Sequence, residues 1–367
     1  MQPVLSFTDK GIYCAAGDFY IDPWKPVPRA VITHAHSDHA RPGNQHYLCA
    51  KDSIPLLQLR LGQDISVQGL AFGEQIYING VTLSFHPAGH MIGSAQVKVS
   101  YGGQTWVASG DYKTENDGIS GAFEPLKCHV FITESTFGLP IYRWKPQHNI
   151  FSDIRSWIHE NEQAGKNSVL VAYSLGKAQR LIYNLSHSVE RFLVHGAIFN
   201  AHEMLRKHGW PLPQVELITP QTPKEAFPNS LVIAPPSAAD SAWMRRFAPY
   251  ALGVCSGWMQ VRGNTRRQNA DAGFAISDHA DWPGLLQAIK ATGAEKIFAT
   301  HGFSSVMARY LQENGLEAEE AKTAYGAEEE EITGAGNAAS SGNTALHIQA
   351  PGAETPQTGN GTPDTPE

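Results

Sequence analysis

Between Val31 and Ala40 the chain reads VITHAHSDHA, which puts His34, His36, Asp38 and His39 within six positions directly after a β-branched run. Imidazole and carboxylate at that density form the donor set of a metal site. Alternate side chains of extended backbone share a face, so His34 and His36 can reach one ion, with Asp38 and His39 following as the chain turns. Three further donors stand after apolar runs elsewhere: His90 in PAGH, Asp111 in SGD and His301 in THGF. Seven donors exceed the needs of one tetrahedral ion and suit two ions sharing a carboxylate. The expected assignment gives His34, His36 and His90 to a first divalent ion and Asp38, His39 and His301 to a second, with Asp111 bridging. Donors without thiolate favour Zn2+, although Mn2+ or iron also fits a carboxylate-bridged pair. Such a pair lowers the pKa of a bridging water to about 7 and stabilises charge on a phosphoryl oxygen, so hydrolysis is the expected chemistry. His86 reads as a strand residue and is left out of the ligand set.

The segments that must position these groups are short apolar runs. Val31-Ile32-Thr33 precedes His34, Val81 to Phe85 leads to His90, and Trp106 to Ser109 leads to Asp111. Phe131-Ile132-Thr133 precedes Glu134, Phe274-Ala275-Ile276 leads to Asp278-His279, and Ile297 to Thr300 precedes His301. Such runs read as buried strands, and side chains at strand ends gather along one sheet edge. Residues 145–268 have a different rhythm. IFSDIRSWIHENEQAG is helical in period, and NSVLVAYSLGKAQRLIYNL, FLVHGAIFNAHEMLRKHG and SLVIAPPSAADSAWMRRF each read strand, turn, helix. That series predicts a parallel α/β domain inserted between a first part, 1–144, and a return segment, 269–324. Residues 325–367 turn to Gly, Ala, Ser, Thr, Pro and Glu and are expected to be a disordered tail.

A chain of 367 residues suffices for two domains, and 42% hydrophobic content is ordinary for a globular protein. Every apolar run falls short of the about 18 residues needed to span a bilayer, and the N-terminus meets Asp9 and Lys10 before a signal-type core could form. The expectation is a cytoplasmic protein without membrane association. Cys14, Cys49, Cys128 and Cys255 form no CxxC pair and read as free thiols. The net charge is -7, and seven acids with no Lys or Arg lie in residues 326–367, so residues 1–325 sum to zero. Neutrality of the body keeps a polyanionic substrate open.

The order HAHSDH, PAGH, SGD and a terminal HG resembles the metallo-β-lactamase superfamily, which implies an αββα sandwich with a dinuclear site at one sheet edge. ITESTFG, AYSLGKAQRL and AISDHAD are similar to the β-CASP branch of nucleases, which includes the cleavage-and-polyadenylation endonuclease, RNase J and Artemis-type enzymes. On that resemblance Asp22 in FYIDP matches the branch's first acidic motif, Glu134 motif A, His279 motif B and His301 motif C. GDFYIDPW, LVIAPPSA, SGWMQVRG and FAISDHADWPGLL resemble the bacterial DNA-ligase-associated exonucleases over residues 3–318. This implies a DNA substrate with ends or single strands, and association with an ATP-dependent DNA ligase and a helicase. RNA-processing members carry histidine at motif C, where Artemis-type enzymes often have valine, so His301 leaves an RNA substrate open.

Phosphodiester hydrolysis also needs a proton for the leaving oxygen. His279, outside the metal shell, can supply it as general acid, with Glu134 orienting it. Asp38 is the ligand whose loss tests the chemistry, and Asp22 is expected to orient a ligand loop. Ser174, Gly176 and Lys177, where a strand turns into a helix, offer an anion site, with a plain glycine turn and an exposed lysine as the alternative. Arg262, Arg266 and Arg267, near Trp258, offer phosphate contacts, whereas Arg245 and Arg246 also read as a solvated helix face. The leading expectation is a DNA exonuclease in repair. An RNA nuclease of the same branch is the runner-up, and a catalytically silent scaffold subunit is the alternative of another class. A small-ester hydrolase leaves Glu134, His279 and the inserted block without a task.

Overall fold

Alternation along the strands decides how the sheets stack. In the strand Arg29–Ile32, Val31 points into one apolar cluster while Ala30 and Ile32 point into another. In Gln104–Ala108, Trp106 and Ala108 share the first of those clusters while Val107 joins a third. Each strand therefore buries both faces, and two sheets meet across the cluster that holds Val31, Trp106 and Ala108. This computed structural model describes residues 3–239, 241–261, 263–264 and 269–324.

The fold is α/β. The first sheet runs, in spatial order, Ser6–Phe7, Ile12–Cys14, Phe19–Ile21, Arg29–Ile32, His46–Ala50 and Val67–Leu70, antiparallel at first and parallel from Phe19–Ile21 onward. The second has Gln104–Ala108, Val130–Glu134, Lys296–Thr300 and Glu317–Glu320 side by side and parallel. Its other three strands, Gln75–Ile78, Val81–Pro87 and Ala95–Tyr101, are antiparallel. The helix Ile54–Leu61 covers the outer face of the first sheet through Leu56 and Leu57. Trp282–Thr292 and Ser304–Glu313 cover the outer face of the second through Leu285, Ile289 and Met307.

A third sheet is parallel throughout, in the order Glu216–Leu217, Phe192–Val194, Leu231–Ala234, Asn167–Val171, Tyr250–Cys255 and Ala272–Phe274. Its near-continuous apolar strands are those of a sheet covered on both faces. Leu170 and Ile233 pack towards the helices Gln147–Gln163 and Lys177–Leu185, and Val169 and Val232 towards Met244 and Phe247. The sheet's last strand, Ala272–Phe274, lies beyond residue 268, where the sequence places the return to the first domain, and its Phe274 packs with Leu170 and Trp157. Within SLVIAPPSAADSAWMRRF the structure has short 3-10 turns, Pro236–Ala238 and Ala242–Phe247, in place of an α-helix. Paired prolines, Pro235 and Pro236, deprive that segment of amide donors.

Among the described residues no helix is long and apolar enough to cross a membrane. Cys14, Cys49 and Cys255 are buried and Cys128 is half-buried, all four as free thiols.

Phe131 is fully buried between the second sheet and its helices. Its replacement by alanine should lower unfolding stability by about 3–5 kcal/mol in denaturant titration. A loss below about 1 kcal/mol would mean that this face is not the packed core described here.

Candidate metal centre

Asp111, Glu134 and His301 sit at the carboxyl ends of three adjacent parallel strands, Gln104–Ala108, Val130–Glu134 and Lys296–Thr300, and the pairing sets Glu134 opposite Thr300. His34 to His39 follow the end of Arg29–Ile32 in the facing sheet, and His90 follows Val81–Pro87. The turn at Gly110 has φ +57°, and a Cβ there would stand 2.7 Å from Thr33 Cβ. Only glycine lets Asp111 approach the histidine loop so closely.

The donor atoms fall into three groups, each within 4.8 Å: His34, His36, His90 and Asp111; Asp38, His39 and His301; and Asp111, Glu134 and His279. Asp111 Oδ2 lies 3.5 Å from His34 Nε2, 3.6 Å from His39 Nε2 and 3.9 Å from His90 Nε2, which sets one oxygen between the first two groups. His36 Nδ1 is 3.2 Å from His90 Nε2, Asp38 Oδ2 is 3.5 Å from His39 Nε2, and it is 4.0 Å from His301 Nε2. Bond lengths of about 2.0–2.1 Å around a tetrahedral ion imply donor separations of about 3.3 Å, so the spacing fits cations with slight contraction.

Each ring spends one nitrogen on the protein and turns the other inward. His39 Nδ1 donates to Asp22 Oδ2 at 2.7 Å. Thr33 Oγ1 donates to the same carboxylate at 2.6 Å and can accept from His34 Nδ1 at 3.0 Å. His301 Nδ1 pairs with Thr300 Oγ1 at 3.1 Å, His36 Nε2 donates to Leu175 O at 3.0 Å, and His90 Nδ1 donates to Asp278 O at 2.9 Å. Outer partners of this kind fix tautomer and ring orientation at metal sites. The buried atoms His34 Nε2 and Asp111 Oδ1 have no hydrogen-bond partner. Buried polar atoms are rarely left so, and a divalent cation is the partner that this donor set suits.

The electrostatics divide the donors in two. Burial pushes the Asp111 carboxyl up to about 7. At His39 burial opposes the charge, yet the carboxylates of Asp38, Asp111 and Asp22 raise the imidazole to about 10. Burial, with neighbouring imidazoles, holds His34 and His90 well below their ordinary 6.5 and His301 at about 3. His34, His90 and His301 are thus held as the neutral rings that metal binding needs, whereas Asp111 and His39 are drawn towards protonation, so a cation there would displace a proton.

His279 adjoins this centre, its ring centroid 4.7 Å from that of His90. Its Nδ1 lies 2.9 and 3.1 Å from the two carboxylate oxygens of Glu134, which also accepts the Tyr112 N–H at 2.7 Å. Phe137 walls the ring, its centroid 6.0 Å away, and Trp144 Nε1 donates to His279 O at 3.0 Å. Asp22, with φ +43°, accepts from the backbone N–H of Thr33 at 2.8 Å and so braces the loop's first residue.

Of the expected nucleic-acid contacts, the structure brings Ser174 to a cleft beside His36, but it turns Lys177 inward, 1% exposed, with its ammonium 3.6 Å from Asp278 Oδ2. The Gly176 N–H is taken by Gln179 Oε1 at 2.7 Å. The Lys177 charge and the Gly176 amide thus serve the protein's interior. Arg262, Arg266 and Arg267 lie outside the described residues, as does the tail from 325. Arg246 donates to Thr219 O at 2.8 Å, and His86 pairs with Ser84 and Glu124. Sequence reasoning missed Thr33, Leu175, Asp278 and Arg180. It also missed Arg60, whose guanidinium holds Ala35 O at 2.6 Å and Ala40 O at 3.3 Å across the ligand loop. Only Asp278 carried a visible signal, as a carboxylate next to His279.

Comparison with known proteins follows the same lines. A protein named "Probable DNA ligase" from Opitutus terrae is 31% identical over 312 residues, which cover 84% of this chain and 30% of that protein. Endoribonuclease YSH1 of Saccharomyces cerevisiae is 28% identical over 32% of this chain and 15% of its own length. An RNase J-like protein of Methanocaldococcus jannaschii is 22% identical over 45% of each chain. This chain thus spans under half the length of each. A crystal structure of a protein of unknown function from Enterococcus faecalis superposes with a TM-score of 0.55 at 10% identity, over 81% of this chain and 80% of the other. No family model matches the chain.

His34, His90 and His301 have folded-state pKa values below the ordinary 6.5, so on acidification the unfolded chain protonates first. The stabilisation from His39, whose value is raised to about 10, is complete below 6.5 and does not oppose this; the Asp111 carboxyl, raised to about 7, gains a proton in the folded chain on the same descent and offsets part of the loss, one group against three. The melting temperature of metal-stripped protein should therefore fall as pH drops below about 6.5. Scanning calorimetry should show a shallower fall for His301→Gln, and an unchanged wild-type Tm from pH 7.5 to 5.5 would contradict the assignment.

Proposed function

From the premise that this chain's relatives are metallo-β-lactamase and β-CASP proteins, we propose that it is a metal-dependent nuclease that removes nucleotides from DNA ends. In this reading the first two sheets and their helices are the αββα sandwich, and residues 145–268 with the adjoining strand Ala272–Phe274 are the inserted β-CASP domain. The observation that carries the function is Asp111 Oδ2 standing between two histidine groups, with the Glu134–His279 pair alongside.

His34, His36, His90 and Asp111 would hold one divalent cation and Asp38, His39 and His301 a second, with Asp111 shared. Such a pair, Zn2+ or Mn2+, polarises a phosphoryl oxygen and brings the pKa of water to about 7. His279 keeps one nitrogen on Glu134 and presents the other to carry a proton to the leaving oxygen. The carboxylate offsets the positive charge of the ring while it holds that proton. Tyr112 N–H and the apolar wall of Phe137 keep Glu134 and His279 in register.

A cavity of about 450 Å³ opens beside His36, lined by Ser37, Arg60, Tyr173, Ser174 and Asn200 among others and, among the described residues, by no carboxylate. It lies at the carboxyl ends of Asn167–Val171 and Leu231–Ala234, where parallel sheets bind ligands, and its donors and aromatic ring suit a strand of nucleotides. The DNA reading and joint action with a DNA ligase draw on the relative named "Probable DNA ligase", and the ATP dependence of that ligase draws on the sequence resemblance. The helicase partner and the cytoplasmic location rest on the sequence resemblance and composition alone. The RNA reading draws on His301 and on the relatives named endoribonuclease and RNase J-like.

The test is incubation with end-labelled single-stranded DNA, duplex DNA and RNA in Zn2+ or Mn2+. Wild type should shorten DNA from its ends, and Asp38→Ala should abolish this. His279→Ala should lower kcat about 10²–10⁴-fold while metal content stays at the wild-type level. Faster cleavage of RNA would transfer the assignment to the runner-up, and no metal-dependent cleavage of any substrate would favour a silent scaffold.

A further inference from the structure

The two ligand groups differ in what holds them. Those in the second group lean on the first two sheets: His39 on Asp22, and His301 on Thr300. In the first group, His36 and His90 lean instead on carbonyls of the third sheet's loops. Leu175 O, which holds His36, follows the strand Asn167–Val171; Asp278 O, which holds His90, follows Ala272–Phe274.

Those two loops are locked to each other by buried charge. Asp278 is 3% exposed, and its carboxylate lies 3.2 Å from Arg180 Nη1 and 3.6 Å from Lys177 Nζ, on residues that are themselves 2% and 1% exposed. The same Arg180 nitrogen donates to Ser277 O at 2.5 Å, and Arg180 Nε donates to Gln147 Oε1 at 2.8 Å. Gly176, at φ +95°, brings the start of the helix Lys177–Leu185 so close that a Cβ there would meet Met91 Cβ at 3.2 Å and lie 4.0 Å from His36 Nε2. Two cations buried on one carboxylate are costly to separate, since loss of any member leaves charge uncompensated in a low dielectric. A pairing of this kind specifies geometry better than it adds stability, and the geometry it specifies is the position of Leu175 O and Asp278 O.

We propose that Lys177 and Arg180 are positioning residues that make occupation of the first ligand group, but not the second, depend on the third sheet. This rests on the reading of two cations given above. The two sites then have separable affinities. Loosening the Lys177–Asp278–Arg180 lock frees the rings of His36 and His90 to turn and weakens one ion only, by the roughly 10–100-fold typical when a ligand's outer partner is lost.

The experiment is a Zn2+ titration of chelator-stripped full-length chain with elemental analysis after dialysis, on wild type, Lys177→Met, Arg180→Met and Arg180→Lys. Wild type should hold two ions per chain. Lys177→Met and Arg180→Met should keep one ion at wild-type affinity and bind the other roughly 10–100-fold more weakly, and Arg180→Lys should recover much of the difference. Should Arg180→Met fail to fold, Lys177→Met, which leaves Arg180 on Asp278, reads the same equilibrium. Two ions at wild-type affinity in the folded methionine variants, or equal weakening of both ions, would overturn the proposal. Fewer than two ions in wild type would instead sink the two-cation reading, and this inference with it.

Discussion

The structure turns on one electrostatic constraint: four buried carboxylates, Asp22, Asp38, Asp111 and Glu134, crowd against six imidazoles at the meeting of two sheets. Carboxylates kept from water demand positive charge. Without a cation the demand falls on protons, which is why burial drives Asp111 up to about 7 and three carboxylates together lift His39 to about 10. Two divalent cations would carry the four positive charges that the carboxylates need and leave the ligand rings neutral. Metal and protons compete for the same atoms, and the outer hydrogen bonds bias that contest by pre-orienting each ring.

Asp22 shows how few groups are needed to do so. Its carboxylate accepts from Thr33 N, Thr33 Oγ1 and His39 Nδ1, and through the threonine hydroxyl it reaches His34. One side chain therefore sets two rings that belong to different ligand groups. The parallel ladder does the remaining work. Register between Val130–Glu134 and Lys296–Thr300 delivers Glu134 and His301 to one edge, and Gly110 lets Asp111 close on the histidine loop.

The centre was legible in the sequence because its residues are chemically conspicuous and follow apolar runs whose strand period is plain. His34, His36, Asp38, His39, His90, Asp111 and His301 could be grouped by type, and the alternation around them predicts buried strands. The outer partners are less visible. Leu175 and Asp278 act through backbone carbonyls, which every residue possesses, and Thr33 and Arg60 have ordinary side chains whose roles arise only from tertiary contact. Lys177 is the instructive case. A lysine after Ser-Leu-Gly at a helix start reads as a phosphate contact, but the partner that draws it inward, Asp278, lies about a hundred residues later, beyond any local pattern.

The third sheet thus does more than line a cavity beside the ligand loop. Its loops supply carbonyls to two imidazoles and, through Asp278, a buried anion for two cations from its own helix. A loop held only by exposed contacts would let those carbonyls drift, and a ring that rotates by a few tens of degrees no longer points its lone pair at the common centre. Burying the ion pairs raises the cost of every alternative arrangement, because each leaves a charge unmatched in a poor solvent for charge. The cavity beside His36 is bounded by the same Tyr173–Leu175 turn. What fills that cavity would therefore press on the element that aims His36, so the cavity and the ligand geometry share a wall.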